Sequence, residues 1–325
     1  MSIFRKLAAV GALLALIVIV MGAWVRLTDA GLGCPDWPGC YGEIIVPSSP
    51  AAVAAINEAY PARPLEQGKA WREMVHRYAA GLLGLLVLAL AIIAIRNRRE
   101  PGQPLIMPLC LLGLIIFQAL LGMWTVTLLL KPVVVMAHLL GGLTTLGLLA
   151  WLVLGPTVKN AGSLPTFAAI ALAVLGTQIA LGGWTSANYA ALVCPDLPTC
   201  QDHYWPEMDF GQGFVLWRGL GVNYEGGTLS GAARTAIHVT HRIGALVTTL
   251  MLAWLALLAL RWNGTARVKW AGAAVALTLM AQVTLGIAIV KMTLPLSLAT
   301  AHNGMAALLL LSVIALNHAA RSSGT

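Results

Sequence analysis

Long apolar runs, separated by short charged or turn-forming stretches, take up most of this chain. Eight of them, at about 8–27, 72–95, 104–128, 133–154, 165–187, 234–260, 268–290 and 296–318, come close to the roughly 20 residues that a helix needs to cross a bilayer. Two longer polar stretches, 28–71 and 188–233, are left as loops. Backbone groups in lipid must be satisfied within their own segment, so the pattern predicts an all-α polytopic membrane protein with eight transmembrane helices.

Composition agrees with that pattern. The chain is 59% hydrophobic and 10% charged, against roughly a quarter charged for a soluble domain. Basic residues set the orientation. Arg5 and Lys6 precede the first run; Arg96, Arg98 and Arg99 follow the second. Lys159 lies between the fourth and fifth, Arg261, Arg267 and Lys269 between the sixth and seventh, and Arg321 after the eighth. Both termini are therefore expected in the cytoplasm, with the two long loops outside. Eleven of the twelve acids fall on the outer side, so the net charge of +8 follows topology and gives no reason to expect a nucleic-acid partner. The first run is long and lacks a small-x-small cleavage site, so it is expected to stay as a helix rather than leave as a signal peptide.

The two loops repeat one another. Gly22-x-Trp24 leads to Cys34-Pro35-Asp36-Trp37-Pro38-Gly39-Cys40, and Gly182-x-Trp184 leads to Cys194-Pro195-Asp196-Leu197-Pro198-Thr199-Cys200. The chain is thus expected to be duplicated, with four helices in 1–160 and four in 161–325. Each cysteine pair closes a short loop in what the topology makes an oxidising compartment. A structural staple, a redox-active pair and a metal site are all open to them, although no His or third Cys stands at ligand spacing. Cys110, alone in an apolar run, is expected to be buried and inert.

Ionisable residues inside spans are costly and functional by default. Here they follow the repeat. His76 and His241 head the second and sixth helices, and His138 and His302 lie near the start of the fourth and eighth. At 1.5 Å per residue all four sit roughly 5–15 Å below the outer surface. Two inward imidazoles per bundle suit a bis-histidine site. Without a carboxylate pair, a haem, which brings its own four equatorial nitrogens, suits them better than a bare ion. Gly81, Gly84, Gly141, Gly142, Gly244 and Gly304 would admit a flat macrocycle. Gln118-x-x-x-Gly122, Gln178-x-x-x-Gly182 and Gln282-x-x-x-Gly286 share a spacing read as helix packing, or else as hydrogen bonding to a cofactor edge.

The halves differ one turn above the first histidine, where Glu73 in one matches His238 in the other. A carboxylate there could act as acid or base or stabilise a developing cation, or could simply pair with Arg72 or Arg77. Arg77 and Arg242 directly follow ligand candidates and could meet haem propionates or snorkel to the surface. His203 and His318 have no repeat partner and are read as uninvolved. The asymmetry suggests that the first half does chemistry and the second holds a permanent cofactor.

Taken together, Gly-Leu-Gly-Cys-Pro-Asp-Trp-Pro-x-Cys after helix one, Glu-x-x-His-Arg opening helix two and one histidine in each of helices four, six and eight resemble the haem A synthase family, in its bacterial, cysteine-containing branch. The resemblance runs from about residue 8 to 318 and implies eight helices arranged as two pseudo-symmetric four-helix bundles. It implies a protein of the bacterial cytoplasmic membrane that oxidises the C8 methyl of haem O to a formyl group, giving haem A for terminal oxidases. It also implies a resident haem b on His241 and His302, substrate haem O between His76 and His138, and assistance from Glu73. Cys34 and Cys40 would take a redox role or shape the substrate loop. The farnesyl tail of haem O implies lateral entry from lipid, with hand-over from the farnesyltransferase that makes it, and a separate electron-transfer partner. Two other functions use the same residues. One is a dihaem b-type cytochrome passing electrons between quinol and the outer disulfides, which leaves Glu73 unexplained. The other is a transporter or haem-delivery protein, which would want a helix broken at mid-membrane.

Overall fold

A computed structural model describes residues 2–157 and 163–322. Its helices are α1 (Ile3–Leu27), α2 (Pro50–Ala59), α3 (Gln67–Arg96), α4 (Ile106–Thr127), α5 (Pro132–Leu154), α6 (Ser163–Ala187), α7 (Phe210–Gly213), α8 (Gly231–Leu260), α9 (Ala266–Lys291) and α10 (Leu296–Ser322). Eight of these, all but α2 and α7, are long and apolar enough to span a bilayer. Each coincides with one of the eight apolar runs, and the chain is a multi-pass helical membrane protein. Lys159 and the expected boundary at residue 160 lie outside the described residues.

At their loop ends, α3 and α8 start a turn or so before their apolar runs. Ser230 caps α8 by accepting from the Ala233 N–H, and α3 opens with a polar turn from Gln67. These added turns raise the loop ends of the two helices that carry His76 and His241. Within the first loop, Ser49 caps α2 and Pro50 takes the first helical position, where its missing N–H costs nothing. Ten residues are too few to register as a span, so the sequence pattern left α2 inside a loop.

Packing follows chain order. α1 lies against α3 and α5, and α4 closes that set by packing on both. α6 lies against α8 and α10, and α9 closes the second set in the same way. Contacts of α1 with α10, and of α5 with α6 and α10, join the sets. This pattern is compatible with two pseudo-symmetric four-helix bundles. The backbone also repeats locally. Left-handed residues stand at Tyr41 and Gln201, at Asp29 and Tyr189, and at Leu129–Leu130 and Thr293–Leu294. Trp37–Pro38 and Leu197–Pro198 are both cis.

One apolar core runs through all eight spanning helices, at the end away from the loops. Its buried side chains begin on α3 at Leu83, on α5 at Leu143, on α8 at Leu252 and on α10 at Ala307. Each of these lies at least five residues beyond the histidine of its helix. The main core therefore stops below the histidines. Cys110 is exposed on α4, contrary to the buried position expected for it. α4 is apolar around most of its circumference, so its sequence carried no sign of which face meets protein.

Candidate functional site

The four histidines are partly buried and lie six to ten residues into their helices, so about 9–15 Å from the loop end. Each imidazole rests on a glycine of a neighbouring helix. A Cβ on Gly22 would stand 2.9 Å from His76 Cε1, and one on Gly122 3.5 Å from His138 Cε1. The corresponding distances are 3.2 Å for Gly182 with His241 and for Gly286 with His302. The repeated glycines are thus seats for the imidazoles, a role more specific than the helix packing read from their spacing. Gly141 and Gly244 are filled by the Gln118 and Gln178 carboxamides, so they seat glutamines rather than a macrocycle.

The glutamines reach the rings. Gln178 Nε2 lies 3.0 Å from His241 Nδ1, and Gln282 Nε2 lies 3.2 Å from His302 Nε2. The charge of His138 reaches His76, and that of His302 reaches His241. Nδ1 of His76, His138 and His302 is buried without a hydrogen-bond partner. An unpaired buried polar atom costs roughly 1–3 kcal/mol, and three of them in one layer suit a site that takes a ligand. Among the described residues no three His, Cys, Asp or Glu gather to hold a bare ion. Facing imidazoles, unpartnered ring nitrogens and a layer that the main core leaves free fit a planar macrocycle with iron at its centre.

The loops sit directly on these sites. Glu73 is buried, at 5% exposure, and its Oε2 accepts from the Cys34 N–H at 2.9 Å. Its Oε1 pairs with Arg77, which also donates to the carbonyls of Asp36, Pro38 and Gly39. Of the two readings of Glu73, the Arg77 pair is present, and it leaves the carboxylate one turn from His76. Both expected disulfides, Cys34–Cys40 and Cys194–Cys200, are formed, and all four sulfurs belong to buried residues. In the second half Arg242 donates to the carbonyls of Thr199 and Cys194 at 2.7 and 2.9 Å. Both arginines thus clamp a disulfide loop. His238 is buried and its Nδ1 lies 2.8 Å from the Ala190 carbonyl, so it ties α8 to the base of that loop.

Asp36 and Asp196 were not singled out from sequence. Asp36 accepts from the N–H groups of Tyr41 and Gly42 at 2.6 and 2.7 Å; Asp196 accepts from Gln201 and Asp202 at 2.6 and 3.0 Å. Each carboxylate holds a left-handed turn at the far cysteine. The Thr199 hydroxyl and these backbone N–H groups hold the Asp196 carboxyl at about 2. The available signal was the motif itself, which repeats Asp two residues after its first cysteine. His203 is exposed and bonds only within its own turn. His318 caps the Gly155 carbonyl at 3.0 Å, at the opposite end of the bundle.

Fold and site define a class: a polytopic helical membrane protein with two matched pairs of part-buried histidines under disulfide-closed loops. Within that class the chain belongs to the cytochrome oxidase assembly protein family COX15-CtaA, whose family model matches residues 5–314. It is 44% identical over 310 residues to a heme A synthase of Shewanella oneidensis, covering 93% of this chain and 92% of the relative. A heme A synthase of Caulobacter vibrioides is 30% identical over 318 residues, covering 90% and 89%. One from Halalkalibacterium halodurans is 30% identical over 219 residues, covering 63% and 66%.

Proposed function

We propose that this chain makes haem A by oxidising the C8 methyl of haem O to a formyl group, for use in terminal oxidases. Family membership and the relatives' names support the activity. The observation that carries the mechanism is an asymmetry. Both halves have a facing histidine pair, but only the first has a buried carboxylate one turn away.

On this reading His76 and His138 flank the substrate, and Glu73, His76 and His138 form the reacting site. His241 and His302 hold a resident haem b, which when bound supplies one-electron transfer. With water as the oxygen source, the change from methyl to formyl takes two successive oxidations, each adding one water oxygen and releasing two protons and two electrons, the electrons passing to the separate electron-transfer partner; the gem-diol then loses water. Glu73 accepts protons released at the substrate methyl, or offsets positive charge developing there. Its position is fixed by the Cys34 N–H and by Arg77, so it needs no reorganisation as the charge appears. The Cys34–Cys40 disulfide shapes the loop that delivers that N–H. A buried disulfide is screened from an attacking thiolate, which favours the shaping role over electron transfer. Arg77 and Arg242 hold the loops over the two sites and bring positive charge to the level where haem propionates emerge.

The basic residues at the helix ends away from the loops support both termini in the cytoplasm of a bacterial inner membrane. Substrate enters from lipid, handed over by the farnesyltransferase that forms haem O, and a separate partner exchanges electrons. The test is haem extraction from a host membrane that makes haem O but no haem A, with and without this chain. Formyl haem that appears with the wild type and vanishes with Glu73→Ala supports the reading. Untouched haem O beside a purified protein that still carries haem would overturn it and favour the dihaem electron carrier.

A further inference from the structure

A segment of the second half reaches over the first. Tyr224, in the loop before α8, is 2% exposed and packs between Leu32 of the first loop and Leu130, with Val135 of α5 beside them. Its N–H donates to the Leu129 carbonyl at 3.1 Å. Val135 is one turn from His138 on the same helix, and Leu32 is two residues from Cys34, whose N–H holds Glu73. Tyr224 therefore closes the loop end of the first bundle, between the turn that carries His138 and the loop that grips Glu73.

Two features of this closure are unfinished. The Tyr224 hydroxyl is buried with no hydrogen-bond partner, although a buried phenol normally finds one. Under the same strap, Lys131 is 1% exposed and has no carboxylate partner among the described residues. Its Nζ donates to the carbonyls of Arg218 and Gly219 at 2.7 and 3.0 Å and lies 3.7 Å from the Trp217 ring centroid. The Arg218 charge also acts on Tyr224. A free phenolic donor and two cations without a counter-charge make a place for an anion. Arg77 of the first bundle differs in that its charge is already matched by Glu73.

We propose that Tyr224, with Lys131 and Arg218, binds a carboxylate of the substrate porphyrin, so that the second half supplies a substrate-positioning site to the first. The inference rests on the reading that the first half takes a haem substrate. Tyr224 donates to the carboxylate oxygen, and the two cations offset its charge. The strap between Trp217 and Tyr224 orients the macrocycle between His76 and His138. Without it, haem could enter the same pair turned about the iron axis, and a different edge would face Glu73.

The test uses purified full-length protein with the haem it carries, titrated with iron protoporphyrin IX and with its dimethyl ester. The relevant binding is the component lost in His76→Ala. Wild type should prefer the diacid by about tenfold, the scale of a hydrogen bond to a charged group. Tyr224→Phe, which keeps the ring and its packing, should lose most of that preference by weakening the diacid alone. Arg218→Gln, on the exposed side of the strap, should reduce the preference in the same sense. A Tyr224→Phe protein that still prefers the diacid as wild type does, or that weakens both ligands equally, would overturn the proposal. If discrimination is absent while wild type still yields formyl haem, this site alone is refuted; if wild type yields no formyl haem, the synthase reading itself fails.

Discussion

A methyl group at position 22 would press on the His76 ring from 2.9 Å, and one at position 182 on His241 from 3.2 Å. Overpacking of this kind costs about 1–3 kcal/mol when the neighbour cannot yield. Gly22→Ala is therefore expected to cut formyl-haem yield by about tenfold or more while the protein keeps its resident haem. Gly182→Ala should instead lower the haem content of the purified protein. Extracted haem per mole of protein checks both. Glu73→Gln keeps an oxygen for the Cys34 N–H but loses the charge that pairs with Arg77, so haem A formation should fall by at least a hundredfold with resident haem unchanged. Chromatography of extracted haems, quantified beside the protein, reads both quantities. The histidines stood out in the sequence because ionisable residues are rare in spans and these recur at a fixed offset, the cysteines because their loops repeat, and Glu73 because it breaks the repeat against His238. The glycine seats were legible only as a spacing, since the pattern shows that small residues recur but not which ring they meet. Tyr224 gave no sequence signal: its contact is with the other half, and no period links the two.

At the scale of elements, the disulfide loops act as preformed caps on α3 and α8. Each is tied by an aspartate to its own turn and by an arginine to its helix. Asp36→Ala should leave two N–H groups of that turn unpaired and loosen the grip on Glu73. Faster hydrogen exchange across 34–43 should accompany lower haem A yield, with no change in the second loop. The Asp196 carboxyl is held at about 2, below its usual 3.8. A depressed value stabilises the folded loop above pH 3.8, and that contribution fades as pH falls from 3.8 through about 2. Exchange protection of 194–203 should therefore be flat from about pH 5 to 8 and drop only in strong acid, and in Asp196→Asn it should be low throughout. All eight spanning helices were legible, because hydrocarbon thickness fixes their length. α2 was missed because nothing in a ten-residue polar-flanked segment distinguishes a short surface helix from a loop. The exposed face of Cys110 was misread for a related reason: an apolar helix in lipid has no polar side to orient it.

At the scale of the molecule, one continuous apolar core joins both halves at the end away from the loops, while the histidine layer lies above it. The rigid part of the protein thus holds two similar sites at one depth and one side of the membrane. On the proposed reading, divergence at one position of the repeat, Glu73 against His238, separates a site that reacts from one that stores a cofactor. That division is the central claim, and resident haem content in two double variants tests it most directly. His76→Ala with His138→Ala should purify with close to the wild-type amount of haem b and make no haem A. His241→Ala with His302→Ala should purify without haem b. Equal loss of haem b from both variants, or loss from the first alone, would contradict the account.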